Sequence, residues 1–256
     1  MVWWGMESSN PVLSRLDETA RVEHQVLGTV PARAMTVDDV VVRTVALLVL
    51  TGATAAVAWT TLRGGWTGAA VLGSSLGGLV LALVIAIRRI TNPFVIGAYA
   101  VLQGGLLGVA SRAFEAVYPG IVVQAVVGTF GVFAGMAVLY GLRVLRATPR
   151  FTRLVIGALI GVMVLSLVNL AVYLISGRQG LEIYSTGSKV GWLPYVFALV
   201  AITVGALTFV LDFDLVERGV RSGLPTRYAW YCAFGLLVGL IFLYWQILRL
   251  ISYVRR

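Results

Sequence analysis

Apolar residues in this 256-residue chain come in seven long runs separated by short polar stretches, with no sustained strand-like alternation. A helix that crosses the hydrocarbon core of a bilayer needs about 20 predominantly apolar residues. The runs predict spans over about 40–62, 66–87, 92–111, 121–145, 151–175, 193–214 and 228–253. Their punctuation is that of helix ends. Thr36 and Asp39 are spaced as a capping box before the first span, and Asn92-Pro93 places a cap residue before a proline at the first helical position of the third. Pro119-Gly120 breaks the third span from the fourth, and Pro149 precedes the fifth. The expected architecture is an all-α membrane protein, a bundle of seven transmembrane helices over residues 40–256, after a cytosolic and partly disordered tail over 1–39. In that tail, MVWWG reads as an upstream start before Met6, and the mixed charges that follow do not make a secretory signal peptide.

Composition sharpens this picture. The chain is 59% hydrophobic and 12% charged, about half the charged fraction of a water-soluble domain. Its net charge of +9 would suit a nucleic-acid binder if it formed a stripe, but the arginines punctuate apolar runs instead, so no nucleic-acid partner is expected. Arg88, Arg89, Arg143, Arg146, Arg150, Arg153, Arg218, Arg221 and Arg227 fall in the second, fourth and sixth connections. The other connections carry Arg63, Arg112, Arg178 and Lys189. The positive-inside rule therefore puts the N-terminus in the cytosol and the C-terminus outside a cell membrane, with the bilayer as the first partner. Five spans carry glycines four apart: 73/77, 104/108, 131/135, 157/161 and 235/239. Such spacing lets helix backbones approach closely and argues for one compact bundle.

Enzyme readings fail on context. Gly73-Ser74-Ser75-Leu76-Gly77 fits a nucleophile-elbow pattern, which needs a strand-to-helix turn and a histidine. It falls in the middle of a span, and His24, the sole histidine, lies in the tail. Cys232 is the sole cysteine, which excludes an internal disulfide or a cysteine metal cluster. Lys189, the sole lysine, is not in the last helix, where a retinal Schiff base would need it. No cofactor is expected.

The chemistry concentrates at "LTFVLDFDLVERGV", residues 207–220, where an apolar run takes up charge without ending. Asp214 can pair with Arg218, and Glu217 with Arg221, at i,i+4 spacing. Asp212 has Val216 at that spacing and so has no local partner. Residues two apart on a helix point about 200° from each other, so the two aspartates face different neighbours. Asp212 continues the small stripe Ala201, Gly205, Thr208, which directs it into the bundle. An ionisable side chain facing a bundle interior is a functional-site hypothesis by default. At the opposite end two readings stand: Glu115 pairs locally with Arg112 at i−3 while Arg249 snorkels to the surface, or Glu115 and Arg249 form a cross-helix ion pair closing the outer end.

Three stretches, "NPFVIGAYAVLQGGLLGVASRAFEAVYPGIVVQAVVGTFGVFAGMAVLY", "LDFDLVERGV" and "AFGLLVGLIFLYWQILRLI", resemble the Bax inhibitor/YccA family, bacterial subgroup, over about residues 36–251. The resemblance implies a seven-helix fold with the seventh helix central, and a pH-dependent calcium leak. In that family an aspartate at the end of the sixth helix shares a proton with a second one in the seventh. Asp212 matches the first, while anchoring on Leu248-Arg249 puts the second at Gly239, where it is missing. The resemblance thus implies a leak channel with an altered aspartate latch, with Asp212 and Asp214 as the ion- and proton-sensing pair and calcium held weakly and transiently at Asp212. Calcium favours six to eight oxygens, and two carboxylates supply about four, so carbonyls and water would complete the shell. Two other readings stay open: a non-conducting membrane protein that modulates stress through unknown protein partners, and a proton-coupled transporter.

Overall fold

The structure is a computed structural model and describes residues 33–61, 67–176, 183–184 and 191–256. The compact unit begins at Ala34. It contains seven helices, each long and apolar enough to cross a membrane: α1 Val37–Thr61, α2 Thr67–Arg88, α3 Pro93–Val117, α4 Ile121–Gly141, α5 Pro149–Ser176, α6 Trp192–Arg221 and α7 Tyr228–Val254. Among the described residues there is no β-strand, and the fold is the expected seven-helix membrane bundle. The tail sequence up to residue 32, with His24, and the connection that holds Lys189 lie outside the described residues. Of residues 34–39, read from sequence as part of the tail, 34–36 lead straight into α1 and 37–39 are its first residues.

The helix starts follow their cap chemistry. The Asp39 carboxylate accepts from the Thr36 amide at 3.0 Å and from its hydroxyl at 2.8 Å, while the Asp39 amide donates back to Thr36 Oγ1 at 3.2 Å. Asn92 Oδ1 accepts from the Phe94 amide at 2.9 Å, with Pro93 supplying a ring where no amide is needed. The helix ends depart more from expectation. α3 runs six residues past Ser111, because Arg112 and Glu115 are helix-compatible and the first true breaker is Pro119-Gly120. α4 stops at Gly141 rather than near Leu145, with Arg143 left-handed at φ 58°. α6 continues to Arg221 and closes only at Gly223, whose φ of 66° is the left-handed conformation glycine adopts without strain.

α7 is the axle of the bundle. It packs on α1, α3, α4 and α6, while α2 leans on α3 and α5 on α6. Its buried side chains, among them Phe234, Leu237, Leu243 and Leu248, form the centre of the main core. The tightest interface joins α1 to α3. There a Cβ on Gly104 would collide with Thr54 and the Thr51 carbonyl, and one on Gly108 with the backbone of Ala55. Of the five glycine pairs, 104/108 and 235/239 sit against neighbouring helices. Gly73, Gly131, Gly135, Gly157 and Gly161 face open space, so 131/135 and 157/161 bring no helices together, and of 73/77 only Gly77 meets a neighbour, Leu102 of α3. Gly73-Ser74-Ser75-Leu76-Gly77 is plain helix within α2, with none of the turn an elbow requires.

At one end of the bundle the chain entering α1 is stitched to the turn between α6 and α7. Ala34 and Pro225 form an antiparallel bridge, and the Met35 amide donates to the Leu224 carbonyl at 2.7 Å. Arg43 donates to the Thr226 carbonyl at 2.5 Å and lies over the Trp230 ring, 5.4 Å from its centroid.

Candidate functional site between the sixth and seventh helices

Asp212 and Asp214 both lie inside α6, two to three turns before its end, and they look in different directions. Asp214 is held by Arg218, with 2.6 Å between Nη2 and Oδ2, and acts electrostatically on Tyr140 of α4. Asp212 turns toward α7, where its Oδ1 lies 3.8 Å from the point a Cβ on Gly235 would occupy. Its charge is also felt by Cys232, one turn earlier on α7. Among the described residues nothing donates a hydrogen bond to Asp212 or pairs with it. Of the stripe Ala201, Gly205, Thr208 and Asp212, Gly205 lies under the Phe242 ring of α7 and Asp212 faces Gly235, while Ala201 is buried and Thr208 donates to the Gly205 carbonyl at 2.7 Å. The two aspartates therefore do not converge on one shared point.

The residue opposite Asp212 is Gly235, one turn before the position to which anchoring on Leu248-Arg249 pointed. Gly239 is occupied differently: a Cβ there would meet Phe209 Cε1 at 2.8 Å. Phe209, one turn before Asp212, seats its ring on Gly239 and meets Phe133 of α4 edge-on at 5.0 Å. Phe213 stacks on Phe209 and leans on Phe133 and Tyr140, so four rings close the space between α4, α6 and α7. Where the resemblance implies a carboxylate on α7, this chain puts a glycine and a ring from α6.

From the edge of this cluster Tyr140 donates its hydroxyl to Glu217, and Arg221 holds the other carboxylate oxygen of Glu217. α4 and α6 are thereby tied at the same end as Asp214. Sequence reasoning found both i,i+4 ion pairs but missed Tyr140, Phe209 and Gly235. The Phe209–Phe213 spacing of four was the visible signal for the ring cluster, since it puts both rings on one helix face.

Among the described residues, Glu115 and Arg249 do not form the cross-helix ion pair. Glu115 accepts from the Gly120 amide at 2.5 Å and from the Val122 amide at 3.1 Å, capping the start of α4 after the left-handed turn at Gly120, φ 82°. Helix N-termini expose amides that want an acceptor, and the α3–α4 turn delivers Glu115 to them. The cation acting on it is Arg255, which also donates to the Pro119 carbonyl at 2.7 Å. Arg249 instead lies over the Tyr184 ring at 4.0 Å. Tyr184 meets Phe197 of α6 edge-on and shares a 2.7 Å hydrogen bond with Ser166 of α5. At this end a cation lies over a ring, with hydroxyls behind it, where the ion pair would have stood.

Among the described residues no three of His, Cys, Asp and Glu gather to hold a metal ion. Calcium at Asp212 would have one carboxylate, with carbonyls and water for the rest.

No curated protein matches the chain. The family described as Bax inhibitor 1 like matches it over residues 10–256. The seven spans, the α7 axle and nearly the full length of the sequence fall within that match, and the chain belongs to the Bax inhibitor 1 like family of integral membrane proteins.

Proposed function

We propose that the chain is a non-enzymatic, multi-pass cell-membrane protein that leaks cations, calcium among them, under the control of protons at Asp212. Its N-terminus is cytosolic on this reading, and its C-terminus lies outside. The observation that carries the proposal is a carboxylate within a membrane span that faces a glycine on the central helix, with no counter-charge among the described residues. Intramembrane carboxylates are costly and usually mark an ion or proton path. Membership of the family supports the same reading. In its charged form Asp212 attracts a cation arriving from the α6–α7 end, and protonation removes that attraction. A site with so few protein oxygens binds weakly, as conduction requires, because the ion must also leave. Asp214, neutralised by Arg218, takes the lesser role of shaping the potential at the mouth.

The seating of Phe209 on Gly239 favours a second reading, in which the same fold is sealed by rings and acts through protein partners. Calcium flux into liposomes holding the purified protein separates the two, measured across a pH series from about 5 to about 8 with Asp212→Asn beside wild type. Flux that varies with pH and is lost in Asp212→Asn is the expected result. Flux no greater than that of empty liposomes at every pH, or an unaltered pH response in Asp212→Asn, sinks the leak reading.

A further inference from the structure

At the end of the bundle that carries the α3–α4 turn, a cavity of about 510 Å³ opens between α1 and α4. These two helices do not approach one another, and α3 and α7 form the floor between them. Gly52 and Trp59 line it from α1, Val126 and Phe130 from α4, Ser111 from α3 and Tyr244 from α7. The polar atoms in the wall are already satisfied. Ser111 and Tyr244 share a hydrogen bond of 2.6 Å, Thr51 donates to the Leu47 carbonyl at 2.8 Å, and Thr129 donates to the Ala125 carbonyl at 2.7 Å. A polar solute or a file of waters therefore finds little to bond to. The volume is that of an ordinary ligand site, and the lining is almost wholly apolar.

At the rim the chemistry changes. Arg112 follows Ser111 directly, and its guanidinium donates to the carbonyl of Trp59 at 3.3 Å, next to the aromatic side chain that tops the cavity wall. Tryptophan and arginine at the end of a span sit at headgroup level, and a guanidinium there matches a phosphate. We propose that this cavity is a binding site for one anionic phospholipid of the surrounding bilayer. Its acyl chain lies between α1 and α4 and its phosphate lies against Arg112. The proposal does not depend on whether the protein conducts.

Gly52 makes the site testable. A Cβ at Gly52 meets no atom within 4 Å, so a larger side chain there enters the cavity without disturbing a helix contact. Gly157 on α5, also open, is the control position away from the cavity. The full chain is reconstituted in liposomes doped with phosphatidylglycerol or phosphatidylcholine that carries a diazirine in the acyl chain. After irradiation, labelled peptides are mapped by mass spectrometry. Phosphatidylglycerol should label α1 and α4 above all other helices, and Gly52→Leu should reduce that labelling to the level of the outward faces. Gly157→Leu should leave it unchanged. Ala56→Phe, on the same wall, provides a second blockade independent of how Gly52→Leu folds. Arg112→Gln should narrow the preference for phosphatidylglycerol over phosphatidylcholine by about fivefold, the share of one basic residue near an anionic headgroup. Labelling spread evenly over the seven helices, labelling indifferent to both blockades, or an undiminished headgroup preference in Arg112→Gln overturns the proposal.

Discussion

Replacing Gly108 with alanine adds one methyl group to the close contact between α1 and α3, at a point where every obstacle is backbone. The new Cβ would lie 2.9 Å from both the carbonyl carbon and the Cα of Ala55, and nearer still to its oxygen. Against an ordinary contact of at least 3.4 Å, those two carbons alone require α1 to retreat by at least about 0.5 Å. A side chain could swing away, but a helix backbone must move as a unit. The cost therefore belongs near the upper end of the roughly 1–3 kcal/mol typical of overpacking. Alanine returns about 1 kcal/mol through its better helix propensity, which leaves a net loss of about 2 kcal/mol. The same change at Gly52, where nothing lies within 4 Å, brings the propensity gain alone. Two variants with an identical chemical change should thus differ by about 3 kcal/mol. Unfolding of the purified protein in mixed micelles with rising dodecyl sulfate, followed by helical circular dichroism, reads that difference directly. A Gly108→Ala protein that unfolds at the same or higher detergent fraction than Gly52→Ala would refute the claim that α1 and α3 meet backbone to backbone.

Glu115→Gln should weaken the start of α4 by up to about 1 kcal/mol, and its effect should add to that of Arg249→Gln within about 0.5 kcal/mol, because the two side chains have separate partners. A coupling above about 1 kcal/mol in the same unfolding assay would reinstate the cross-helix ion pair. Tyr140→Phe removes the hydroxyl that joins α4 to Glu217 and should cost about 1–2 kcal/mol, measured likewise; no loss would mean the bond is not held in solution. Phe209→Ala empties the space over Gly239 and should cost about 3–5 kcal/mol while raising flux through the liposome-borne protein. Flux unchanged in a folded Phe209→Ala protein would show that this ring does not close the path.

Elements governed by neighbours in sequence were legible in advance. The capping box at Thr36 and Asp39, the cap at Asn92, and the pairs Asp214–Arg218 and Glu217–Arg221 each depend on residues within four positions. The inward direction of Asp212 was also legible, because the small residues before it define a face of the helix. The apolar run over 193–214 is shorter than the helix that holds it, because the pairs Asp214–Arg218 and Glu217–Arg221 carry α6 on to its stop at Gly223. Contacts between helices were not legible. The third helix's register against the seventh decides whether Glu115 reaches Arg249 or turns to the amides of α4, and a single sequence contains no measure of that register. For the same reason one turn separates Gly235, which faces Asp212, from Gly239, at which counting along α7 had aimed.

The bridge from Ala34 and Met35 to Pro225 and Leu224 has a mechanical consequence. Load on the chain just ahead of α1 divides at that stitch: part passes up the helix, and part goes sideways into the turn that ends α6. Because α6 is one continuous helix from Arg221 back through Asp212 and Phe209, the turn that is stitched to Ala34 and the ring that covers Gly239 belong to the two ends of a single load path.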